Sequence, residues 1–455
     1  MATLTISPPH PSSTLVNISD DADLRLIRVL APCCTSSPSS FEEECNIAIG
    51  NSDAAQLLRT VISHGTIRGL LTNTNFSVEE VVSVFSLLTV YLDRVGDASV
   101  ARELCGALAD AVVAAGGSGE ATGDEEAKKR KTKQSAMVAS LFNLRTNADE
   151  KVKLLTKVVE LADISALSPG ASRGVSALAD MLEPTTLQST LKLWGNLQDE
   201  EGGGILALRA LYAAVVSGMD RVLDKLAKDG GEEDKTIAMK ITATKERKQT
   251  YLLHFLETYT DESQLDDQAR KYACEASVYA ISEPINLFST QRRILNLPAI
   301  TSLSKSQPAL YDLLKIFMEG KLQDYRDFNA MPDKMTVFST FGLDEEVCMK
   351  NMSLLSLVSL AGEHEEIPYG AIASTLNIPE EEVEHWVIRA VSSGLMEAKM
   401  DQLRKVVLVE RCAARQFGMK EWTALKIRLD TWKSNVRGVL DALKKSGAVP
   451  AVDGQ

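Results

Sequence analysis

The chain has 455 residues, 45% hydrophobic and 24% charged, enough for two or three domains around a large core. Its formal charge of −13 opposes general affinity for nucleic acid or anionic membrane. Aromatics are sparse at 5%, Ala, Leu, Val, Lys and Glu are plentiful, and no apolar run reaches the roughly 18 residues of a membrane span. The beginning, "MATLTISPPHPSSTLVNISDDADLRL", has no basic flank followed by an apolar core, so no secretory leader is expected. Residues 1–40, with "SPPHPSS" and "APCCTSSPSS", are rich in Ser and Pro and read as a disordered tail.

From 41 to 363 the periodic segments are helical, and an all-α solenoid of helix pairs is expected. "SVEEVVSVFSLLTVYLDRV" opens on a capping box of Ser77 and Glu80, then repeats Val81, Phe85, Leu88 and Leu92. Asn147 and Glu150 open the next such segment, with Val152, Leu155, Val159 and Ala162 as its stripe. Leu187, Leu191 and Trp194 share one face further on. No strict sequence period repeats. Two interruptions stand out. "AAGGSGEATGDEEAKKRKTKQ", 114–134, lacks apolar periodicity and reads as a flexible insert, with "KKRKTK" a solvated charge run; "AKDGGEEDK", 227–235, is a lesser loop. Prolines 284, 298, 308 and 332 punctuate the segments that follow.

The pattern changes at 364–412. "EEIPYG" supplies a short strand and "YGAIASTLN" a helix with Ile372 and Leu376 facing inward. Pro379 at the first helical position and Glu380, Glu381 and Glu382 in the first turn start a second helix, with Val383, Trp386, Val387 and Ala390 buried. Gly394 is a left-handed stop, and "LMEAKMD" and "KVVLVERC" are strands joined near Gln402 and Leu403. Strand, helix, helix, strand, strand is a winged helix. A groove-reading helix needs donors and cations. Residues 365–412 instead hold nine acids against five Lys/Arg, so this winged helix is expected to pack against protein rather than DNA.

The segment 416–446 forms one terminal helix. Trp422, Leu425, Leu429, Trp432, Val436, Val439 and Leu443 recur at alternating spacings of three and four, the seam of a helix bundle. Lys426, Arg428 and Lys433 flank it, and the seam is expected to face a partner with an acidic surface, the alternative being that the helix folds back on its own solenoid.

Signs of catalysis are weak. His10, His64, His254, His364 and His385 have no companion at metal-ligand spacing. "GGSGEATG" and "EGGGILALRA" lack the strand or the Lys-Ser/Thr of a phosphate loop. Cys33, Cys34, Cys45, Cys105, Cys274, Cys348 and Cys412 form no zinc or redox pattern and read as buried or incidental thiols of a reducing compartment. Neither cofactor nor metal is expected, and no enzymatic activity.

Helical repeats running into a winged helix and a terminal helix resemble the PCI-domain family, the scaffold modules of the proteasome lid, the signalosome and translation initiation factor 3. "LYDLLKIFMEGKLQDYRDF", 310–328, resembles the helix–Gly–helix step of such domains, placing a PCI domain over about 205–412. The stretch from "MSLLSLVSLAGEHEEIPYG" through "KMDQLRKVVLV" to "LDTWKSNV" is most similar to the subunit M branch, found in initiation factor 3. The resemblance implies a cytoplasmic, non-catalytic scaffold subunit. Its implied partners are other PCI and non-PCI subunits of that factor and, through the complex, the small ribosomal subunit during recruitment of mRNA and initiator tRNA. A PCI subunit of the proteasome lid or signalosome is the alternative. A basic wing, as an mRNA-export PCI protein would need, is absent from the sequence.

Overall fold

A computed structural model describes residues 26–35, 37–73, 75–115, 124–145, 147–162, 177–194, 203–228, 235–284, 294–413, 415 and 419–445. The chain divides into two compact units, Met1–Thr258 and Tyr259–Gln455. The helical region expected as one stretch over 41–363 is therefore split between them.

The first unit is helical throughout its described residues. Its helices are α1 (Pro38–Gly50), α2 (Ala54–Ser63), α3 (Thr66–Thr72), α4 (Val78–Arg94), α5 (Ala98–Ala114), α6 (Asp124–Leu144) and α7 (Ala148–Leu161). They continue as α8 (Ala177–Met181), α9 (Pro184–Trp194), α10 (Gly203–Lys228) and α11 (Lys235–Glu257). Their starts are written in side chains. Ser77 Oγ accepts the Glu80 N–H at 3.2 Å, and the Glu80 carboxylate accepts the Ser77 N–H at 2.8 Å, completing the expected capping box. Asp53 and Asp97 cap α2 and α5. Asn147 caps α7 through the Asp149 N–H, and Glu150 does not close a box there. Val81, Phe85, Leu88 and Leu92 on α4 are buried, as are Val152, Leu155, Val159 and Ala162 along α7. Helix α10 packs against both α7 and α11, and α6 against α4 and α7.

Two expectations about this unit are corrected. The described part of the N-terminal 40 residues is ordered: residues 26–33 are helical, and Leu26, Ile27 and Leu30 are buried. Here Gly69 of α3 lies so close to the Cys33 carbonyl that a Cβ would meet its oxygen at 1.8 Å, so only glycine fits. The second half of the 114–134 insert is the first half of α6. Lys133 is buried and donates to the Asn73 carbonyl at 3.0 Å, and Gln134 donates to the Val112 carbonyl at 2.7 Å. The run "KKRKTK" is thus helical and partly structural, while 116–123 and 229–234 lie outside the described residues.

The second unit opens with α12 (Asp267–Ser282), α13 (Pro298–Ser306), α14 (Pro308–Glu319), α15 (Leu322–Asn329), α16 (Pro332–Phe341) and α17 (Glu345–Glu363). Pro298, Pro308 and Pro332 each occupy the first turn of a helix, where the missing N–H costs nothing. Helix α17 is buried almost all round from Asn351 to Val358, and both winged-helix helices pack on it. The winged helix follows as β1 (Glu366–Pro368), α18 (Tyr369–Leu376), α19 (Val383–Ser392), β2 (Met396–Asp401) and β3 (Val406–Cys412). The sheet has the order β1-β3-β2 and is antiparallel, pairing Ile367 with Val407 and Met400 with Val407, with a bulge at Glu397/Ala398. Ile367, Ile372, Val383, Val387, Ala390 and Val407 fill its core. Gly394 follows α19 at φ 73°, the left-handed position expected of it. Pro379 stands one step earlier than expected, as N-cap of a 3-10 turn over Glu380–Glu382. Trp386 is half-exposed rather than buried, with the Arg389 guanidinium over its ring at 5.8 Å. The last helix is α20 (Met419–Lys445).

Candidate interaction surface

Helix α20 has 27 residues, about 40 Å at ~1.5 Å per residue. Every described side chain on it is exposed. Leu429 is 54% exposed, Trp432 65% and Val439 60%, and Trp422, Leu425, Val436 and Leu443 are also open to solvent. The three-four spacing gathers these residues along one stripe. Lys426, Arg428 and Lys433 are exposed beside it, so the stripe has a basic border over its first half. Leu440 follows Val439 and widens the apolar face, while Ile427 lies on the opposite side of the helix. Burying each large side chain is worth ~1.5–3 kcal/mol. Together they leave a contiguous apolar stripe exposed along the helix, a feature uncommon on the surface of a monomer.

Between β3 and α20 lies a residue that periodicity does not reveal. The Arg415 guanidinium donates to the carbonyls of Ile316 at 2.7 Å, Phe317 at 3.0 Å and Gly320 at 2.7 Å. These close the C-terminal turn of α14, where carbonyls lack intrahelical donors and the helix dipole is negative. Burial lowers the Arg415 pKa to about 10, and nearby Asp324 and Glu319 oppose the shift. In sequence Arg415 is a lone cation in "CAARQFGM", and its acceptors lie 95 and more residues away. Only a lone cation just past a strand could have drawn attention to it.

The winged helix uses its cations internally. Lys405 pairs with Glu380 at 3.0 Å, Arg404 with Glu366 at 2.6 Å, Arg411 with Glu397 at 3.4 Å, and Lys399 with Glu410. The fifth, Arg389, lies over Trp386. Glu384 accepts from Tyr369 Oη at 3.2 Å and Gln402 Nε2 at 3.1 Å. The face that leads a groove reader into DNA thus presents carboxylates and spent cations.

His64 and His254 have local roles, while His10 lies outside the described residues. His254 is buried, stacks on Tyr212 at 5.9 Å and meets Glu257 at 3.2 Å; His64 meets Glu44 at 3.1 Å. Burial pushes the thiols up, Cys45 and Cys348 to about 12 and Cys105 to about 11, which suits inert core residues. Among the described residues no group of three His, Cys, Asp or Glu is arranged for a metal ion.

The PCI domain family model matches residues 322–411, inside the 205–412 expected, and the model for the eIF3 subunit M C-terminal helix matches residues 415–443. Relatives named eukaryotic translation initiation factor 3 subunit M are 35% identical over 312 residues in Phaeosphaeria nodorum, covering 68% of this chain and 62% of that protein. In Chaetomium globosum the figures are 35%, 61% and 59%, and in Dictyostelium discoideum 33%, 43% and 48%. The matched part of the chain spans less than two thirds of the length of each of these relatives. None of these three is named for the proteasome lid or the signalosome. The helical units, the winged helix and the matched segments agree: residues 322–411 are similar to the PCI domain family and residues 415–443 to the eIF3 subunit M terminal helix.

Proposed function

We propose that this chain is a non-catalytic scaffold subunit of eukaryotic translation initiation factor 3, held in its complex by α20. The observation that carries the reading is the exposed heptad stripe from Trp422 to Leu443, which lies within the segment matched by the subunit M helix model. Other PCI and non-PCI subunits of the factor are the partners this surface fits. Contact with the small ribosomal subunit runs through the complex, and the place of work is the cytoplasm. The terminal-helix match favours this assembly over the proteasome lid or signalosome.

The test is the double substitution Leu429→Asp with Val436→Asp. Carboxylates forced into a bundle without partners cost several kcal/mol, enough to reduce association by orders of magnitude. Both side chains are exposed in the chain itself, so its melting temperature should hold. Capture of other initiation-factor subunits should be lost while the melt is kept. Full recovery of the complex would show that the stripe does not hold the chain there, and loss of the cooperative melt would show that it serves the chain's own core.

A further inference from the structure

Two described residues hold the chain between the end of β3 at Cys412 and the start of α20 at Met419. Ala413 N–H donates to the Leu395 carbonyl at 2.8 Å. Arg415 then makes its three-carbonyl contact with the end of α14, and its Nη2 also lies 4.0 Å from Met352 Sδ on α17. The Ile316 carbonyl already receives the Gly320 N–H at 2.8 Å, so the guanidinium supplies donors chiefly to Phe317 and Gly320. A planar fork with fixed donors can serve several carbonyls at once, whereas a lysine offers one point charge. The step it binds is tight: a Cβ on Gly320 would lie 2.9 Å from Ile316 Cα.

We propose that Arg415 is a positioning residue: by capping α14 it fixes the point, four residues before α20, from which the terminal helix leaves the unit. Four residues reach no further than about 14 Å, and six residues from Ala413 about 21 Å. Releasing the clamp therefore enlarges the volume open to the helix roughly threefold. A seam presented from a fixed point meets its partner with less ordering to do. The subunit M helix match begins at residue 415, so clamp and seam fall within one matched segment. Use of the clamp in assembly rests on the function proposed above; the restraint itself is a property of this chain alone.

Spin labels carried on p-acetylphenylalanine at Leu403 and Ile427 of the full chain leave the seven native cysteines untouched. Both positions are exposed, one on the β2–β3 turn and one on the back of α20. Pulsed dipolar spectroscopy should give a narrow distance distribution in the parent chain and one about half as wide again in Arg415→Met, as the reach grows from about 14 to about 21 Å. Arg415→Lys keeps the charge at the helix end and loses the fork, so its width should fall between. If Arg415→Met does not fold, Arg415→Lys decides. A parent distribution as broad as the variants, or variants as narrow as the parent, overturns the clamp. A narrow parent distribution without capture of initiation-factor subunits would sink the assigned complex and leave the clamp standing.

Discussion

Cations that cap distant helix ends recur along this chain. Lys133 donates to the Asn73 carbonyl after α3, Arg221 to Val159 after a reach of 62 residues, and Arg326 to Leu376 at the end of α18. Each satisfies carbonyls that helix geometry leaves open, and each places a positive charge at the negative end of a dipole. None is legible from periodicity, because donor and acceptor lie far apart in sequence. Local caps are legible, and Glu80 offers a test with a defined sign. Hydrogen bonds from the Ser77 backbone and side chain hold its carboxyl below the ordinary value of 4.5. A depressed carboxyl contributes stability that is fully present above the ordinary value and is lost as pH falls through the lowered one. Glu80→Gln keeps an acceptor for the Ser77 N–H but cannot titrate. Its urea midpoint should therefore fall less than that of the parent between pH 6 and pH 3. Equal losses in both proteins would mean that the capping carboxylate is not what titrates.

At the scale of elements, stripes were readable and extensions were not. The faces of α4 and α7 bury the residues that their spacing singled out, and the winged helix has its expected order with β3 in the middle of the sheet. The first half of helix α6 carries no periodic signature, because 124–134 has almost no apolar residue and charge blocks usually signal solvent. Its second half is anchored by Met137, Val138, Leu141 and Phe142. Glu, Ala, Lys and Arg then continue the helix on propensity, with Glu126 four residues before Arg130. Gln134 marks where the extension joins the core. Gln134→Ala should leave the Val112 carbonyl without this donor and cost about 1–3 kcal/mol, read as a lower urea midpoint at unchanged slope. A change below about 0.5 kcal/mol would return this part of α6 to the status of a dispensable arm.

Over the whole molecule, charge is divided unevenly. The chain is acidic at −13, yet α20 carries Lys426, Arg428 and Lys433 beside its seam. Charge in such a border steers encounter more than it holds the complex. Reversing all three to Glu should slow capture by the other subunits several-fold at low salt. The difference should fade towards 0.5 M salt, where exposed pairs are screened. A loss of the same size at every ionic strength would place these side chains inside the contact. The seam itself could be read from sequence because heptad spacing survives without a partner. The direction in which it is presented could not, since that depends on Arg415 and carbonyls near residue 317.

The open stripe of α20 also bears on how much of this protein a cell can keep. Trp432, Leu429 and Val439 are the kind of side chains that chaperones and degradation machinery recognise on unassembled subunits. Surplus chains would display the stripe and be removed, whereas assembled ones would hide it. A stripe that holds the chain in its complex, as proposed for α20, would then act as a counter of stoichiometry, tying the lifetime of each copy to a vacancy in the complex.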